Sequence, residues 1–259
     1  MKKLALLILV ATIACSSPKS DQEIFSEQQR EVLDPIPEIE LEAGLPELEK
    51  RLQEQGLINL AEFIPGIKVE LKYSTTDNFF GQDVYGDLTN AFLQLEVAER
   101  LKSAQQKLKN EYPNLTLLIY DGVRPLSVQQ ILWDNLDKPD SIKPLYVADP
   151  KVGSLHNFGV AVDLTIFDTE SGQALDMGTG YDFFGYEAYP DREMEMMAMG
   201  KLTRAQIANR EILRKVMTTS GFSGIGSEWW HFNAFSRKEA GEKFEIMSPL
   251  RQPNLNIII

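Results

Sequence analysis

The sequence predicts an α+β fold in a single domain, and three observations carry that prediction. Segments with the two-residue period of strands and segments with the 3.6-residue period of helices are mixed along residues 56–259, without the regular strand–helix–strand alternation of a parallel sheet. Apolar residues make up 43% of the chain, and about 200 residues of such composition can bury one good core. No internal repeat divides the chain into smaller units.

The first fifteen residues, MKKLALLILVATIAC, read as an export signal: Lys2 and Lys3 precede an apolar run from Leu4 to Ala14 that is too short to span a bilayer. Small Ala14 stands before Cys15, the only cysteine, which reads as the lipidation site of a bacterial lipoprotein. Thr12 and Ile13 depart from the usual residues before such a cysteine, and an ordinary signal peptide with an incidental cysteine is the alternative. A lone cysteine excludes an intramolecular disulfide in either case. Residues 1–14 are assigned as signal peptide and residues 15–55 as an acidic tether. Between 16 and 55 stand eleven acidic and four basic residues with Pro18, Pro35, Pro37 and Pro46, and a short helix is expected near LPELEKRLQEQ.

Residues 56–259 are assigned to the folded domain. After Pro65 and Gly66, IKVELKY alternates apolar and polar residues, as a half-buried strand does. Leu93, Val97, Leu101, Ala104 and Leu108 recur at helical spacing and predict an amphipathic helix over about 90–110. LTLLIYD reads as a buried strand, SVQQILWDNL after Pro125 as a helix, and VAVDLTIF as another strand. Thr203 and Gln206 form a capping box that opens a helix running to about Ser220. WWHFNAF reads as the last strand. The methionine-rich PDREMEMMAMGK, residues 190–201, is expected as a loop stitched to the core, with a mobile cover over a cleft as the alternative. The net charge is −12, from 26 basic and 38 acidic residues, and no basic stripe is present, which excludes nucleic acid as a partner.

Histidine occurs twice, His156 in SLHNFGVAVD and His231 in SEWWHF, each beside a carboxylate and apolar or aromatic residues. If Cys15 is lipidated, these are the only soft or nitrogen donors left to the domain, so a zinc site must combine both with a carboxylate. Asp163 lies seven residues past His156, across Gly159, whose conformational freedom lets a loop histidine and a strand aspartate face one point. Two nitrogens and one oxygen leave the fourth tetrahedral position open, as catalytic zinc requires. Glu228, three residues before His231, could reach a water there without binding metal and act as proton acceptor and donor. Trp229 and Trp230 would wall such a site. Taken singly, each histidine reads as well as a hydrogen-bonded core residue, and both tryptophans as plain core; the joint spacing favours the site.

The patterns S-x-H-x-x-G-x-A-x-D, from Ser154 to Asp163, and E-x-W-H, from Glu228 to His231, resemble those of the D-alanyl-D-alanine dipeptidases, zinc peptidases related to the enzyme of vancomycin resistance. IPGIKVELKYSTTDNFFGQDVYG, YDGVRP, DMGTGYDFFG and NREILRKVMTTSGFSGIGSEWWHF are similar to family segments too, so the likeness spans about residues 57–235. It implies the small α+β fold shared by the D,D-peptidases and hedgehog signalling domains, with a central antiparallel sheet flanked by helices. It also implies one Zn2+ per chain held by His156, Asp163 and His231, with Glu228 as general acid/base and Arg124 of YDGVRP stabilising the transition state. A guanidinium aimed at a developing oxyanion suits that role; a plain structural pair with Asp121 is the alternative. Ser154 and Asp182 stand at family-like positions and are expected to contact the termini of a small D,D-dipeptide.

The function this resemblance implies is hydrolysis of D-alanyl-D-alanine to two D-alanines. Combined with the leader, it implies a role in cell-wall turnover outside the cytoplasm, by an enzyme held at the membrane through lipid on Cys15. A D,D-carboxypeptidase or endopeptidase acting on peptidoglycan stem peptides is the runner-up. A non-catalytic binding domain is disfavoured, because Glu228, Arg124 and the whole ligand set are present.

Overall fold

The computed structural model describes residues 45–247 except residue 87; the expected signal peptide, Cys15, most of the tether and the tail after 247 lie outside the described residues. Helix α1, Leu45–Glu54, is the short helix expected near LPELEKRLQEQ. Its Leu52 is buried, and its Glu49 accepts hydrogen bonds from the backbone N–H groups of Thr89 and Asn90 and from the Asn90 side chain. The packed chain therefore begins ahead of residue 56, where the tether was expected to end.

Strand β1, Ile58–Asn59, leads into the short helix α2, Leu60–Phe63, which Asn59 caps through its side-chain oxygen. The strand expected over IKVELKY shortens to β2, Lys68–Val69. Once the Glu70 N–H has donated to the Ile119 carbonyl, the neighbouring strand loses its regular register and the chain turns into a 3-10 helix at Lys72–Ser74. Strand β3, Phe92–Leu93, pairs antiparallel with β1 and takes up residues that the helical spacing had assigned to the next helix. That helix, α3, accordingly runs over Leu95–Glu111, with Val97, Leu101, Ala104 and Leu108 fully buried as the spacing requires. Burying Leu101 and Leu108 contributes roughly 1.5–3 kcal/mol each relative to exposure.

Strand β4, Leu115–Asp121, is the expected LTLLIYD, and helix α4, Leu126–Asp134, opens after Pro125. Strand β5, Ala161–Asp168, is buried along its first six residues, which explains its nearly unbroken apolar sequence. Then follow β6, Gln173–Ala174; α5, Glu193–Ala198; α6, Arg204–Thr218; β7, Ser223–Gly224; β8, His231–Asn233; and α7, Arg237–Lys243. Both hydrogen bonds of the Thr203–Gln206 capping box form at the start of α6. The final strand is shorter than WWHFNAF, because Trp229 and Trp230 belong to the loop that precedes it.

The main sheet has the order β2-β4-β5-β8-β7, with β6 added to β5. Its pairs are antiparallel apart from β2 and β4, which run parallel. Helix α3 packs on β4 and against α6. This is the expected α+β domain with a mainly antiparallel central sheet.

The methionine-rich segment forms a 3-10 turn at Pro190–Arg192 and then α5. Met196 packs with Leu202 and Ile207, while Met194 and Met199 face solvent. Glu193, buried, pairs with Arg210 and Arg214 of α6. The segment is stitched to the core, but as a short helix rather than the expected loop.

Candidate active site

Sheet register builds the centre of the site. On β5, Asp163 stands opposite His231 of β8 on one side and opposite Asp121 of β4 on the other. Three chemistry-bearing residues, 121, 163 and 231, so form one row across three strands. His156 reaches the same place from the 3-10 turn Leu155–Phe158, which enters β5. Gly159 ends that turn in the left-handed region at φ 68°, and a Cβ there would stand 3.1 Å from Leu57 Cδ2. A side chain there would strain the backbone and force Leu57 to give by a few tenths of an ångström.

The hydrogen bonds around the two imidazoles assign their free nitrogens. His156 Nδ1 lies 2.7 Å from the Gly122 carbonyl, an acceptor only, so Nδ1 carries the proton and Nε2 is the free donor atom. His231 Nε2 lies 2.8 Å from Asn233 Oδ1, which leaves Nδ1 free. The two free nitrogens are 3.2 Å apart, and Asp163 Oδ1 lies 2.9 Å from His231 Nδ1 and 3.4 Å from His156 Nε2. Zinc bonds of about 2.0–2.1 Å at tetrahedral angles give donor separations of about 3.3 Å, so this triangle fits one such ion with a fourth position open. Among the described residues, His156, Asp163 and His231 are the group placed to hold a metal.

These groups polarise one another. Burial alone would raise the Asp163 carboxyl, but the adjacent His156 and His231 rings hold it well below the ordinary carboxylate range. Burial alone would lower His231; its contact with Asp163 outweighs that and lifts it to about 9. Metal binding must therefore displace a proton from His231. The second carboxylate oxygen of Asp163 accepts a hydrogen bond from the Tyr181 hydroxyl at 2.9 Å. Burial, and then the Asp163 charge, push that phenol well above its ordinary value, so it stays a donor.

Glu228 lies in the loop before β8, its Oε2 3.9 Å from His231 Nδ1, and keeps 23% of its side-chain surface. Burial pushes its carboxyl up, against the lowering influence of His231. A carboxylate beside the open position, with an affinity for protons raised toward neutrality, is suited to relay them.

Arg124 makes the pair with Asp121 that was the structural alternative for it. Its Nε and Nη2 donate to Asp121 Oδ2 at 3.0 and 2.6 Å, and its Nη1 donates to Gln129 Oε1 at 3.0 Å. Nη2 also stands 3.9 Å from Asp163 Oδ2. Three of the five guanidinium protons are engaged, which leaves two for an oxyanion. Asp121, fully buried, also accepts from Tyr85 Oη and the Gly122 N–H. Gly122 therefore orients His156 through its carbonyl, and a Cβ at Gly122 would collide with the Phe92 carbonyl at 2.9 Å.

Ser154 accepts the His156 N–H at 3.3 Å and caps the turn that carries the ligand; its hydroxyl keeps one proton to donate. Asp182 sits at φ 56°, the one described non-glycine residue with positive φ, and receives only long hydrogen bonds, from Tyr73 Oη at 3.4 Å and the Phe79 N–H at 3.3 Å. Burial, and then the charge of Asp163, raise its carboxyl well above the ordinary range. Trp230 is buried against Tyr181, with ring centroids 5.4 Å apart, and Trp229 packs edge-on to Trp230 while donating to Thr179 Oγ1. Both tryptophans are buried, and Trp230 adjoins the site through Tyr181.

Sequence reasoning missed Tyr181, Asn233 and the Gly122 carbonyl. Asn233 was within reach, since residues two apart on a strand share a face. Tyr181 is the neighbour of Asp182 in GYDFFG, but nothing in the sequence says which residue its hydroxyl meets.

Two imidazoles, one carboxylate, an open coordination position and a flanking glutamate define a mononuclear metallopeptidase-type site. The chain belongs to the D-ala-D-ala dipeptidase family of peptidases, which it matches over residues 53–248. It is 37% identical over 176 residues to the D-alanyl-D-alanine dipeptidase of Escherichia coli K12, covering 68% of this chain and 83% of that one. It is 31% identical over 196 residues to the D-alanyl-D-alanine dipeptidase of Enterococcus faecalis V583, covering 69% and 91%. Among solved structures there is a loose likeness to VanYB in complex with D-alanine-D-alanine, with 14% identity and a TM-score of 0.35 over 59% of this chain and 76% of that one.

Proposed function

We propose that this D,D-peptidase is a zinc dipeptidase that cleaves free D-alanyl-D-alanine, and that it serves cell-wall turnover outside the cytoplasm. The observation that carries the reading is the donor triangle of His156 Nε2, Asp163 Oδ1 and His231 Nδ1, with edges of 2.9, 3.2 and 3.4 Å, beside a proton-hungry Glu228. Bound there, zinc supplies Lewis acidity toward the peptide carbonyl and the attacking water. Glu228 accepts the proton of that water and delivers it to the leaving amine nitrogen, so one group serves as base and then as acid. The remaining N–H groups of Arg124 are donors for the oxygen on which negative charge develops, and its Asp121 and Gln129 contacts fix the guanidinium before the substrate arrives.

Asp182 supports a dipeptide rather than a longer chain. It is a half-buried, under-donated carboxylate near Asp163, suited to the ammonium of a substrate with a free N-terminus. N-acylation removes that cation and leaves the carboxylate desolvated and unpaired. Kinetics on D-alanyl-D-alanine and on its N-acetyl form decide the matter. Hydrolysis of the free dipeptide and strong rejection of the acetylated one are expected; comparable rates on both would turn the reading into a carboxypeptidase.

The leader supports export and attachment through lipid on Cys15. A single acyl chain binds membranes only marginally, whereas several chains, each methylene adding about 0.8 kcal/mol, anchor a protein stably. Cys15→Ser should move the protein from the membrane to the soluble fraction, and unchanged partition would contradict the anchor.

A further inference from the structure

Asp163 has two oxygens, and only one of them points into the donor triangle. Oδ1 faces both histidines, whereas Oδ2 takes the Tyr181 hydroxyl at 2.9 Å, with Arg124 Nη2 farther off at 3.9 Å. A carboxylate left free on both oxygens can rotate, or offer both of them to one ion, which raises the coordination number and closes the position a substrate needs. A donor on Oδ2 prevents both. Tyr181 is itself held from three sides: its ring lies 6.0 Å from Tyr73, 5.4 Å from Tyr120 and 5.4 Å from Trp230, centroid to centroid. The backbone that bears it is tied to α6 at both ends, since Arg210, 1% exposed, donates from Nε to the Met177 carbonyl at 2.7 Å and from Nη2 to the Glu187 carbonyl at 2.8 Å.

We propose that Tyr181 is a positioning residue for the metal, its hydroxyl holding Asp163 as a ligand through Oδ1 alone. Tyr181 also stands next to Asp182, the residue assigned to the substrate ammonium, so one stretch of backbone serves the metal ligand and the substrate contact. This inference rests on the metal reading above and deepens it.

The test uses Tyr181→Phe in the full chain, which keeps the ring and its packing and removes only the hydroxyl. Zinc dissociation constants of the wild-type and variant proteins are measured by competition with a chromophoric chelator, beside the thermal midpoints of both metal-free forms. Loss of such an outer partner weakens metal binding about 10- to 100-fold. That weakening, in a variant whose metal-free form is still folded at the assay temperature, is the expected result. Unchanged affinity would overturn the proposal, and so would a weaker affinity found only where the metal-free variant has begun to unfold, which marks a merely structural tyrosine. A wild-type protein that takes up no zinc would instead overturn the metal reading itself, so the two failures are distinguishable.

Discussion

Asp121 and Asp163 sit on adjacent strands and are surrounded by donors, whereas Asp182 and Glu228 sit on loops and are not. Asp121 accepts from Tyr85, from Gly122 and twice from Arg124; Asp163 faces both histidines and Tyr181. Asp182 has two hydrogen bonds of 3.3 Å or longer, and the His231 contact of Glu228 is at 3.9 Å. The strand-borne Asp163 is pushed down and held as an anion, while both loop-borne carboxyls are pushed up. The sheet and the 3-10 turn that enters it thus present the candidate ligand set, and the loops present carboxylates still short of a partner, which the proposed function assigns to a travelling proton and a substrate cation. Groups left unsatisfied in a free enzyme are those that gain most when substrate arrives.

The largest effect expected within this comparison comes from Glu228→Gln. It should lower turnover about 10²- to 10⁴-fold, the range of a lost general acid/base, while zinc content stays at the wild-type level. Loss of zinc in that variant would move Glu228 from the loop class into the ligand class. Arg124→Ala should cost about 10²- to 10³-fold in turnover, the scale of one lost oxyanion donor. It also leaves Asp121 buried without its main cation, so unfolding should become easier by roughly 3–5 kcal/mol. A large stability loss with full turnover would leave Arg124 with only its structural pairing.

The smallest effect is the most discriminating, because its sign differs between the two classes. Asp163, depressed in the fold, contributes stability that is present above its unfolded value of about 3.9 and lost as pH falls through its folded value. Asp182, raised in the fold, contributes stability present below about 3.9 and lost as pH rises toward its folded value. In metal-free protein near pH 7.5, Asp163→Asn should lower the thermal midpoint and Asp182→Asn should raise it; toward pH 4 the Asp182 difference should shrink, whereas the Asp163 difference should persist until the pH falls further. Shifts of the same sign would erase the distinction drawn here.

Most of this architecture was legible in the sequence. LTLLIYD, VAVDLTIF and the Thr203 capping box gave β4, β5 and α6 because local pattern and burial agree there. IKVELKY and WWHFNAF were read too long, since pairing depends on what the neighbouring strand offers, and β4 changes register after Ile119. The ligand set was legible because two histidines leave few combinations. The hydrogen-bond partners that fix the free nitrogens were not: Gly122 acts through a backbone carbonyl, which carries no sequence signature, and Tyr181 meets Asp163 only after the 176–189 segment is folded onto α6.

Whether His156, Asp163 and His231 hold one catalytic zinc is decided by titrating metal-free protein with zinc while following D-alanyl-D-alanine hydrolysis. Activity should rise linearly and stop at one zinc per chain, and His156→Ala should neither retain zinc nor regain activity. Full hydrolysis by rigorously metal-free protein, or a His156→Ala variant that still takes up one zinc and turns over, would contradict that assignment.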